Sequence, residues 1–288
     1  MARPRTAWVL SGGGSLGAIQ VGMMQALSRA GVRADFIVGA SVGALNGAFF
    51  AQEPTVHGAD RLAGIWMQLR RRDVFPLTLL AGLKALLFGR DHLVEATALQ
   101  ALIRRALVVH DFSELQVPLH IVTTDVLGGE EVLLSSGPLG AALLASTAIP
   151  VVFPAVGVGE HLLVDGGVSS NTPIASAVAL GAERIIVLPT GMSCALERPP
   201  RNMAALALHV LSLLSMRQLD RDVVIYAPQA RITIVPPLCP LAVSALDFSS
   251  TRDLIERTRR QTERWLAQDG LQQTGPLHVP LAHHDHRH

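Results

Sequence analysis

The chain opens with two short aliphatic runs, and each run ends in a turn containing glycine that is followed by helical spacing of apolar residues. The first run, Ala7 to Leu10, is followed by helical spacing over 15–30. The second run, Phe36 to Val38, is followed by a helix that extends to about residue 52. Because consecutive strand–helix–strand units fold into parallel sheets with right-handed crossovers, this opening predicts an α/β fold.

Strands and helices alternate in the same way almost to the end of the chain. Strands are predicted at 119–123, 131–134, 161–164, 184–188 and 231–235, and helices at about 58–71, 92–107, from about 172, 203–217 and 249–268. The stretch 189–201, which contains two adjacent prolines, is predicted to be a loop. Since the length suits one α/β unit, we predict a single domain over 1–268 and a flexible tail over 269–288.

The composition favours a large core built from buried parallel strands. Hydrophobic residues make up 49% of the chain and aromatic residues only 4%, so the predicted core is mainly aliphatic. The net charge of +1 argues against nucleic-acid binding. The two cysteines are too few for a disulfide framework and have no metal-ligand spacing around them, so no metal site is predicted.

No targeting or membrane-spanning segment is predicted. The first apolar run is too short for the hydrophobic region of a signal peptide, and no run of eighteen apolar residues occurs, so a cytoplasmic location is the default expectation. The candidate for peripheral membrane contact is Leu77 to Phe88, which follows Arg70 to Arg72 and has Lys84 as its sole charge. This segment fits either an interfacial helix lying on lipid or a buried cap over an acyl pocket.

The strongest local motif is Gly39-x-Ser41-x-Gly43, which lies between a predicted strand and a predicted helix. In a nucleophile elbow, the serine occupies a strained turn, and the two glycines allow the strand and the helix to approach closely. The motif taken alone also fits an ordinary glycine-rich strand–helix turn. Its strand–turn–helix context favours Ser41 as a nucleophile.

The upstream loop Gly12-Gly13-Gly14-Ser15-Leu16-Gly17 fits two different functions. It matches the dinucleotide pattern GxGxxG, with Asp35 at about the right distance to bind a ribose, which predicts a Rossmann-type oxidoreductase. However, Asp35 precedes the second predicted strand, whereas the ribose-binding acid should follow it. The alternative is that amides of the glycine turn bind the oxyanion of an acyl-transfer intermediate.

A nucleophilic serine needs a base, and the sequence favours a carboxylate over a histidine. Of the eleven histidines, none lies in a convincing late loop, and four belong to the last six residues. Asp165 follows the strand predicted at 161–164 and precedes Gly166-Gly167, which places it at the sheet edge where ligands bind. Asp125 also follows a strand, but it fits better as a residue that caps a turn.

As a set, these residues resemble the patatin-like phospholipases, particularly bacterial members. The resemblance rests on the glycine loop, the Gly39-x-Ser41-x-Gly43 elbow and Asp165-Gly166-Gly167. It covers about residues 6–190 and includes three further segments, Ser146 to Pro150, Phe153-Pro154 and Asn171 to Pro173. The resemblance implies a three-layer α/β/α fold with a central, mainly parallel sheet. It also implies a Ser–Asp dyad that cleaves lipid acyl esters through an acyl-enzyme.

The resemblance implies a role for each motif residue. Ser41 would be the nucleophile, Asp165 its general base, and the amides of Gly12, Gly13 and Gly14 the oxyanion hole. The other motif glycines are Gly17, Gly39, Gly43, Gly166 and Gly167. The implied partner is a lipid or acyl ester substrate, and no cofactor or metal is implied.

The implied activity is that of a phospholipase A or lysophospholipase. One departure from the family pattern is Leu16, because the family commonly has Arg or Lys just before the last glycine of the loop. The backbone donors survive this change, but a cation that could hold an anionic headgroup is lost, so ester hydrolysis is better supported than phospholipid preference. Three alternatives stay open: a Rossmann-type oxidoreductase, a lipid acyltransferase that shares Ser41, and a non-catalytic lipid-binding module.

Overall fold

A computed structural model of the chain describes residues 3–74, 93–191, 203–239 and 241–274. Within these residues, eight strands form one sheet. The strands are β1 Thr6–Leu10, β2 Phe36–Ala40, β3 Leu119–Asp125, β4 Glu131–Leu134, β5 Val156–Val158, β6 His161–Asp165, β7 Arg184–Leu188 and β8 Arg231–Ile234.

The sheet is parallel on one side and antiparallel on the other. Its strand order is β5-β6-β3-β2-β1-β7-β8, and β4 pairs with β3 outside this path. The five strands β3, β2, β1, β7 and β8, which are adjacent in this order, run parallel to one another. The pairs β3–β4, β3–β6 and β5–β6 are antiparallel. The prediction of a central, mainly parallel sheet is therefore confirmed.

Helices cover both faces of this sheet. The α-helices of the described residues are α1 Gly17–Arg29, α2 Val42–Ala51, α3 Val56–Gln68, α4 Arg71–Val74, α5 Thr97–Ala106, α6 Leu139–Ser146, α7 Gly167–Ser170, α8 Ile174–Ala179, α9 Met203–Tyr226 and α10 Thr251–Ala267. One face packs against α1, α2, α3, α5, α6 and α10. The other face packs against α8 and α9. The three-layer α/β/α architecture follows from this arrangement.

The strands are buried on both faces, as the aliphatic runs predict. Within β1, Trp8 and Leu10 belong to the larger apolar cluster, whereas Ala7 and Val9 belong to the cluster on the opposite face. All four side chains have no exposed surface. Because successive side chains of a strand point to opposite faces, a run without polar alternation is the pattern expected of a central parallel strand.

Most predicted elements are present, but the structure adds helices α6 and α7 and strand β5. The α6 sequence LGAALLAS is apolar all round because the helix is surrounded by the sheet and by α5, so it lacks the polar face that marks an amphipathic helix. Strand β5 has three residues, too few for a periodic pattern. Helix α9 extends to Tyr226, well beyond the end predicted at residue 217.

Three predictions fall wholly or mostly outside the described residues. They concern Leu77 to Phe88, the loop at 189–201 and the tail at 269–288. The single-domain assignment of residues 1–268 stays a prediction. In the described part of the chain, no helix combines the length and apolar character needed to cross a bilayer.

Candidate active site

Ser41 and Asp165 come together because two strands share one edge of β3. Strand β4 occupies one edge of β3, so β2 and β6 must both lie along the other. Strand β2 pairs there as far as Ala40, which lies opposite Val122. Strand β6 takes over at the next position, where Asp165 lies opposite Thr123. Since Ser41 directly follows Ala40, the two candidate residues meet where one partner strand ends and the other begins.

Ser41 forms the strained turn that the elbow motif predicts. Its backbone has φ 53° and ψ −125°, which places a non-glycine residue in a region with positive φ that such residues rarely occupy. The flanking glycines permit the turn. A Cβ at Gly43 would lie 2.2 Å from the Leu10 carbonyl oxygen, and a Cβ at Gly39 would lie 2.7 Å from the Gly43 backbone. Helix α2 therefore packs too closely on β2 for any other residue at Gly39, and too closely on β1 for any other residue at Gly43.

The Ser41 hydroxyl donates a hydrogen bond to Asp165. The Oγ–Oδ2 distance is 2.6 Å, and the other carboxylate oxygen, Oδ1, accepts a bond from the Gly167 amide at 2.7 Å. Asp165 is 5% exposed and Ser41 is 8% exposed. Burial raises the pKa of Asp165 to about 6, although the two hydrogen bonds partly oppose this shift. The carboxylate is therefore ionised at neutral pH and far more basic than an exposed aspartate.

The glycine loop lies beside Ser41, and its amides differ in what they bind. The Gly12 amide donates to the Asn171 carbonyl at 3.0 Å, while the Gly12 carbonyl accepts from Thr190 Oγ1 at 2.7 Å. In the part of the chain that the structure describes, the Gly13 and Gly14 amides have no acceptor. Gly14 has φ 58°, and a Cβ there would lie 2.5 Å from a backbone oxygen. Among the described residues, the Gly13 and Gly14 amides thus remain able to bind an oxyanion. The Gly12 amide, by contrast, would first have to break its hydrogen bond to the Asn171 carbonyl.

The other motif glycines mark places where the chain passes close to another element. A Cβ at Gly17 would lie 2.5 Å from Val42 Cγ2, and one at Gly166 would lie 2.2 Å from the Val122 carbonyl oxygen. A Cβ at Gly167 would lie 3.0 Å from Asp165 Oδ1, so this glycine lets its own amide approach the carboxylate. These close contacts explain why each of these positions is occupied by glycine and not by a residue with a side chain.

A polar pocket of about 810 Å³ opens on one side of Ser41. We define the polar pocket by the glycine loop together with Asn171, Thr172, Thr190, Ser212 and Ser215. Apolar residues also line it, among them Ile149, Val168 and residues of helix α9. The described lining contains no lysine or arginine, so backbone amides, hydroxyls, the Asn171 carboxamide and the Asp165 carboxylate supply its polarity.

An apolar pocket of about 480 Å³ lies on the other side of Ser41. We define the apolar pocket by Val42, Leu45, Trp66, Leu69, Leu99, Leu102, Phe153 and Phe248. Trp66 and Phe248 stack with their ring centroids 6.2 Å apart. Ser41, Gly14 and Ile149 line both pockets, so the two cavities meet at Ser41. An aliphatic chain fits such a lining, whereas a charged group does not.

A buried chain of hydrogen bonds connects the glycine loop with the wall of the apolar pocket. Gln20 Nε2 donates to the Ser11 carbonyl, and Asn46 Nδ2 donates to both Gln20 Oε1 and the Gly17 carbonyl. Trp66 Nε1 in turn donates to Asn46 Oδ1 at 2.8 Å. Gln20 and Asn46 are almost fully buried. Every amide group in this chain has a partner, which holds both the loop and the Trp66 ring in place.

The residues that supported rival predictions lie elsewhere. Asp35 precedes β2 at the opposite edge of the sheet from the glycine loop, where it accepts from the Thr6 amide at 2.7 Å and pairs with Arg3. It therefore cannot bind a ribose held at that loop. Asp125 Oδ1 accepts from the Leu127 and Gly128 amides, each at 2.9 Å, which confirms its interpretation as a turn cap.

Several residues of the site carry no motif that a single sequence could reveal. Ser146 binds the Ser41 amide, and Thr172 Oγ1 shares a hydrogen bond with Ser11 Oγ at 2.8 Å. Asn171 lines the polar pocket. The signal for Ser146, Asn171 and Thr172 was their place in segments that resemble the family, without any indication of what they contact.

Comparisons with known proteins point in one direction. The sequence model of the family described as "Patatin-like phospholipase" matches residues 8–178. Patatin-like phospholipase domain-containing protein 7 of mouse is 30% identical over 193 residues, which is 64% of this chain and 13% of that protein. An uncharacterized NTE family protein of Mycobacterium bovis is 31% identical over 188 residues, covering 64% of this chain and 49% of its own length. The chain thus spans half or less of the length of these relatives.

Two solved structures align with most of the chain at low identity. VipD from Legionella pneumophila aligns with a TM-score of 0.48 and 15% identity, covering 93% of this chain and 67% of VipD. Human GIVD cytosolic phospholipase A2, in complex with a fluorophosphonate inhibitor, aligns with a TM-score of 0.48 and 14% identity, covering 94% of this chain and 60% of that one.

Proposed function

Because the chain belongs to the patatin-like phospholipase family, we propose that it hydrolyses lipid acyl esters with Ser41 as nucleophile and Asp165 as general base. The observation that carries this proposal is the 2.6 Å hydrogen bond between Ser41 Oγ and Asp165 Oδ2, formed in a strained elbow between two pockets. A buried carboxylate with a pKa of about 6 is matched to accept a proton near neutral pH.

The first half of the reaction forms an acyl-enzyme. As Ser41 Oγ attacks the ester carbonyl carbon, its proton passes to Asp165 Oδ2. Negative charge develops on the carbonyl oxygen, and the Gly13 and Gly14 amides, which have no other described acceptor, donate to it. The tetrahedral intermediate then breaks its bond to the alcohol oxygen, which leaves with the proton from Asp165.

The second half returns the enzyme to its starting state. Water attacks the acyl carbon and gives a proton to Asp165, and the same two amides stabilise the second oxyanion. Collapse of this intermediate expels Ser41 Oγ, which recovers its proton from Asp165, and the fatty acid leaves. The Gly167 amide holds the carboxylate oriented through Oδ1, so that Oδ2 stays directed at the nucleophile in both halves.

Each pocket is suited to one half of the ester substrate. The apolar pocket, lined by side chains such as Trp66 and Leu102, takes the acyl chain. The polar pocket takes the alcohol half and opens toward helix α9. Since the described lining of the polar pocket has no basic side chain and Leu16 replaces the usual cation, the site favours ester recognition through the acyl chain over recognition of an anionic headgroup.

The test combines turnover with covalent labelling. Purified protein is assayed on p-nitrophenyl esters and on a lysophospholipid, and a fluorophosphonate probe is mapped by peptide analysis. We expect ester turnover, labelling of Ser41 alone, and loss of both in Ser41→Ala.

Asp125→Asn provides a matched control for Asp165→Asn, because both aspartates lie on paired strands but Asp125 caps a turn and contacts His161, outside both pockets. Full turnover in Ser41→Ala would contradict the proposal. Acyl transfer to glycerol in preference to water would instead identify an acyltransferase that uses the same serine.

A further inference from the structure

A buried hydroxyl next to the candidate dyad joins the backbone at the end of β2 to that of β3. Ser146, the last residue of α6, has no exposed surface. Its Oγ accepts a hydrogen bond from the Ser41 amide at 2.9 Å and donates one to the Val122 carbonyl at 2.7 Å. Val122 is the last residue of β3 that pairs with β2. The hydroxyl therefore bridges the two backbones where the chain turns out of the sheet at Ser41.

The backbone of the same segment binds the base. The Asp165 amide donates to the Ala148 carbonyl at 3.0 Å, and the Gly166 amide donates to the Ser146 carbonyl at 3.3 Å. Residues 146–148 thus contact Ser41 through a side chain, and Asp165 and the residue after it through two carbonyl groups. Because both contacts arise from three consecutive residues, the segment links the position of Ser41 directly to that of Asp165.

Ser41 needs external support to hold its conformation. With φ 53° and ψ −125°, its backbone persists only where surrounding contacts impose it. Among the described hydrogen bonds, the Ser41 amide donates to Ser146 Oγ. The Ser41 carbonyl accepts from the Ala44 and Leu45 amides of α2, which fixes the helix side of the turn. Ser146 therefore holds the strand side.

We propose that Ser146 is a positioning residue that sets the distance between Ser41 Oγ and Asp165, a role that rests on the Ser–Asp hydrolysis proposed above. Removing its hydroxyl leaves the Ser41 amide and the Val122 carbonyl buried without partners, so the elbow shifts to relieve them. A displacement of the nucleophile by about 1 Å lowers the rate about 10²-fold. Substrate binding in the two pockets is unaffected, so the loss falls on kcat.

The decisive comparison is between Ser146→Thr and Ser146→Val. Both variants add similar volume at one buried position, but only threonine keeps a hydroxyl. We expect kcat for a short-chain p-nitrophenyl ester to be at least about tenfold higher in the threonine variant, with similar KM values. Equal kcat in the two variants would overturn the proposal, because packing alone would then explain the position.

Ser146→Ala supplies an independent readout through its pH profile. The hydrogen bond from Ser41 opposes the rise in the pKa of Asp165 that burial causes. If Ser41 moves away, that bond weakens, and the pH at which kcat/KM begins to fall must increase. An acid limb unchanged from that of the parent protein would also overturn the proposal.

Thr258→Val is the stability control. Thr258 is fully buried and donates to the Leu254 carbonyl at 2.7 Å, but it lies in α10 outside both pockets. We expect this variant to lose thermal stability and to keep kcat. If the proposed function itself is wrong, the parent protein shows neither ester turnover nor labelling of Ser41. That failure is therefore recognised before any Ser146 variant is compared.

Discussion

The polar and apolar pockets meet at Ser41 but are built from different parts of the chain. The polar pocket includes the backbone of the glycine loop, where Gly13 and Gly14 present amides. The apolar pocket is formed almost entirely by side chains, including Trp66 and Phe248. Backbone groups can be displaced only by moving the chain, whereas side chains can be exchanged. We therefore expect substitutions in the polar pocket to affect the rate of chemistry and those in the apolar pocket to affect the choice of acyl chain.

Asp165→Asn should have the largest effect, because it changes the carboxylate that binds Ser41, the residue at which the two pockets meet. Loss of the proton acceptor is expected to lower kcat about 10³-fold or more for esters of every chain length. Steady-state kinetics on a series of esters measures this. A loss restricted to long or short chains would place Asp165 in substrate selection instead of proton transfer.

Gly14→Ala should produce the next largest effect. The residue has φ 58°, and a new Cβ would meet the Ala245 carbonyl oxygen at 2.5 Å, so the amide must move away from the developing oxyanion. We expect kcat to fall about 10²-fold. Gly31→Ala is the matched control, because Gly31 has φ 70° with nothing near its Cβ position. It should lose stability without losing kcat, and similar kinetic losses in both variants would contradict the assignment of Gly14 to the oxyanion hole.

The pH dependence should show an acid limb near pH 6. Asp165 must be ionised to accept a proton, and burial raises its pKa to about 6, so kcat/KM should fall about tenfold per pH unit below that value. A limb near pH 4, the value of an exposed aspartate, would mean that the carboxylate is solvated in the working enzyme.

The same group should destabilise the fold at neutral pH. Because the pKa is higher in the folded than in the unfolded protein, Asp165 favours folding fully below about pH 4, and this contribution is lost as the pH rises through 6. The shift from 3.8 to about 6 corresponds to about 3 kcal/mol in the free energy of unfolding. Thermal unfolding at several pH values should show a weaker dependence in Asp165→Asn, and an equal dependence would refute this effect.

Leu102→Phe should have the smallest effect and one confined to the apolar pocket. The larger ring shortens the space that Leu102 lines, so long acyl chains lose contact while short ones do not. Each methylene that no longer fits should lower kcat/KM about fourfold, the equivalent of about 0.8 kcal/mol. The ratio of long-chain to short-chain esters measures this. A uniform loss across the series would show general misfolding of the pocket.

The parts of the site that the sequence predicted are those in which one residue type is sterically required. Gly39 and Gly43 appear in the motif because strand and helix backbones approach too closely there for a Cβ. Asp165 was identified by its place between an aliphatic strand and two glycines. Ser146 was not assigned a role, since its hydroxyl acts through Val122 and Ser41, which are distant in sequence. Asn46 and Gln20 were missed for the same reason.

Local pattern determined which segments are strands, which are helices and where the chain turns sharply, because those properties depend on neighbouring residues. It also determined the family, through three motifs in order. Only the tertiary structure decided that β2 and β6 share one edge of β3, which brings Ser41 within 2.6 Å of Asp165. The tertiary structure also decided how deeply that carboxylate is buried, which acceptor each loop amide has, and that two separate pockets adjoin Ser41. Each of these depends on contacts between segments far apart in the chain, and a single sequence does not record such contacts.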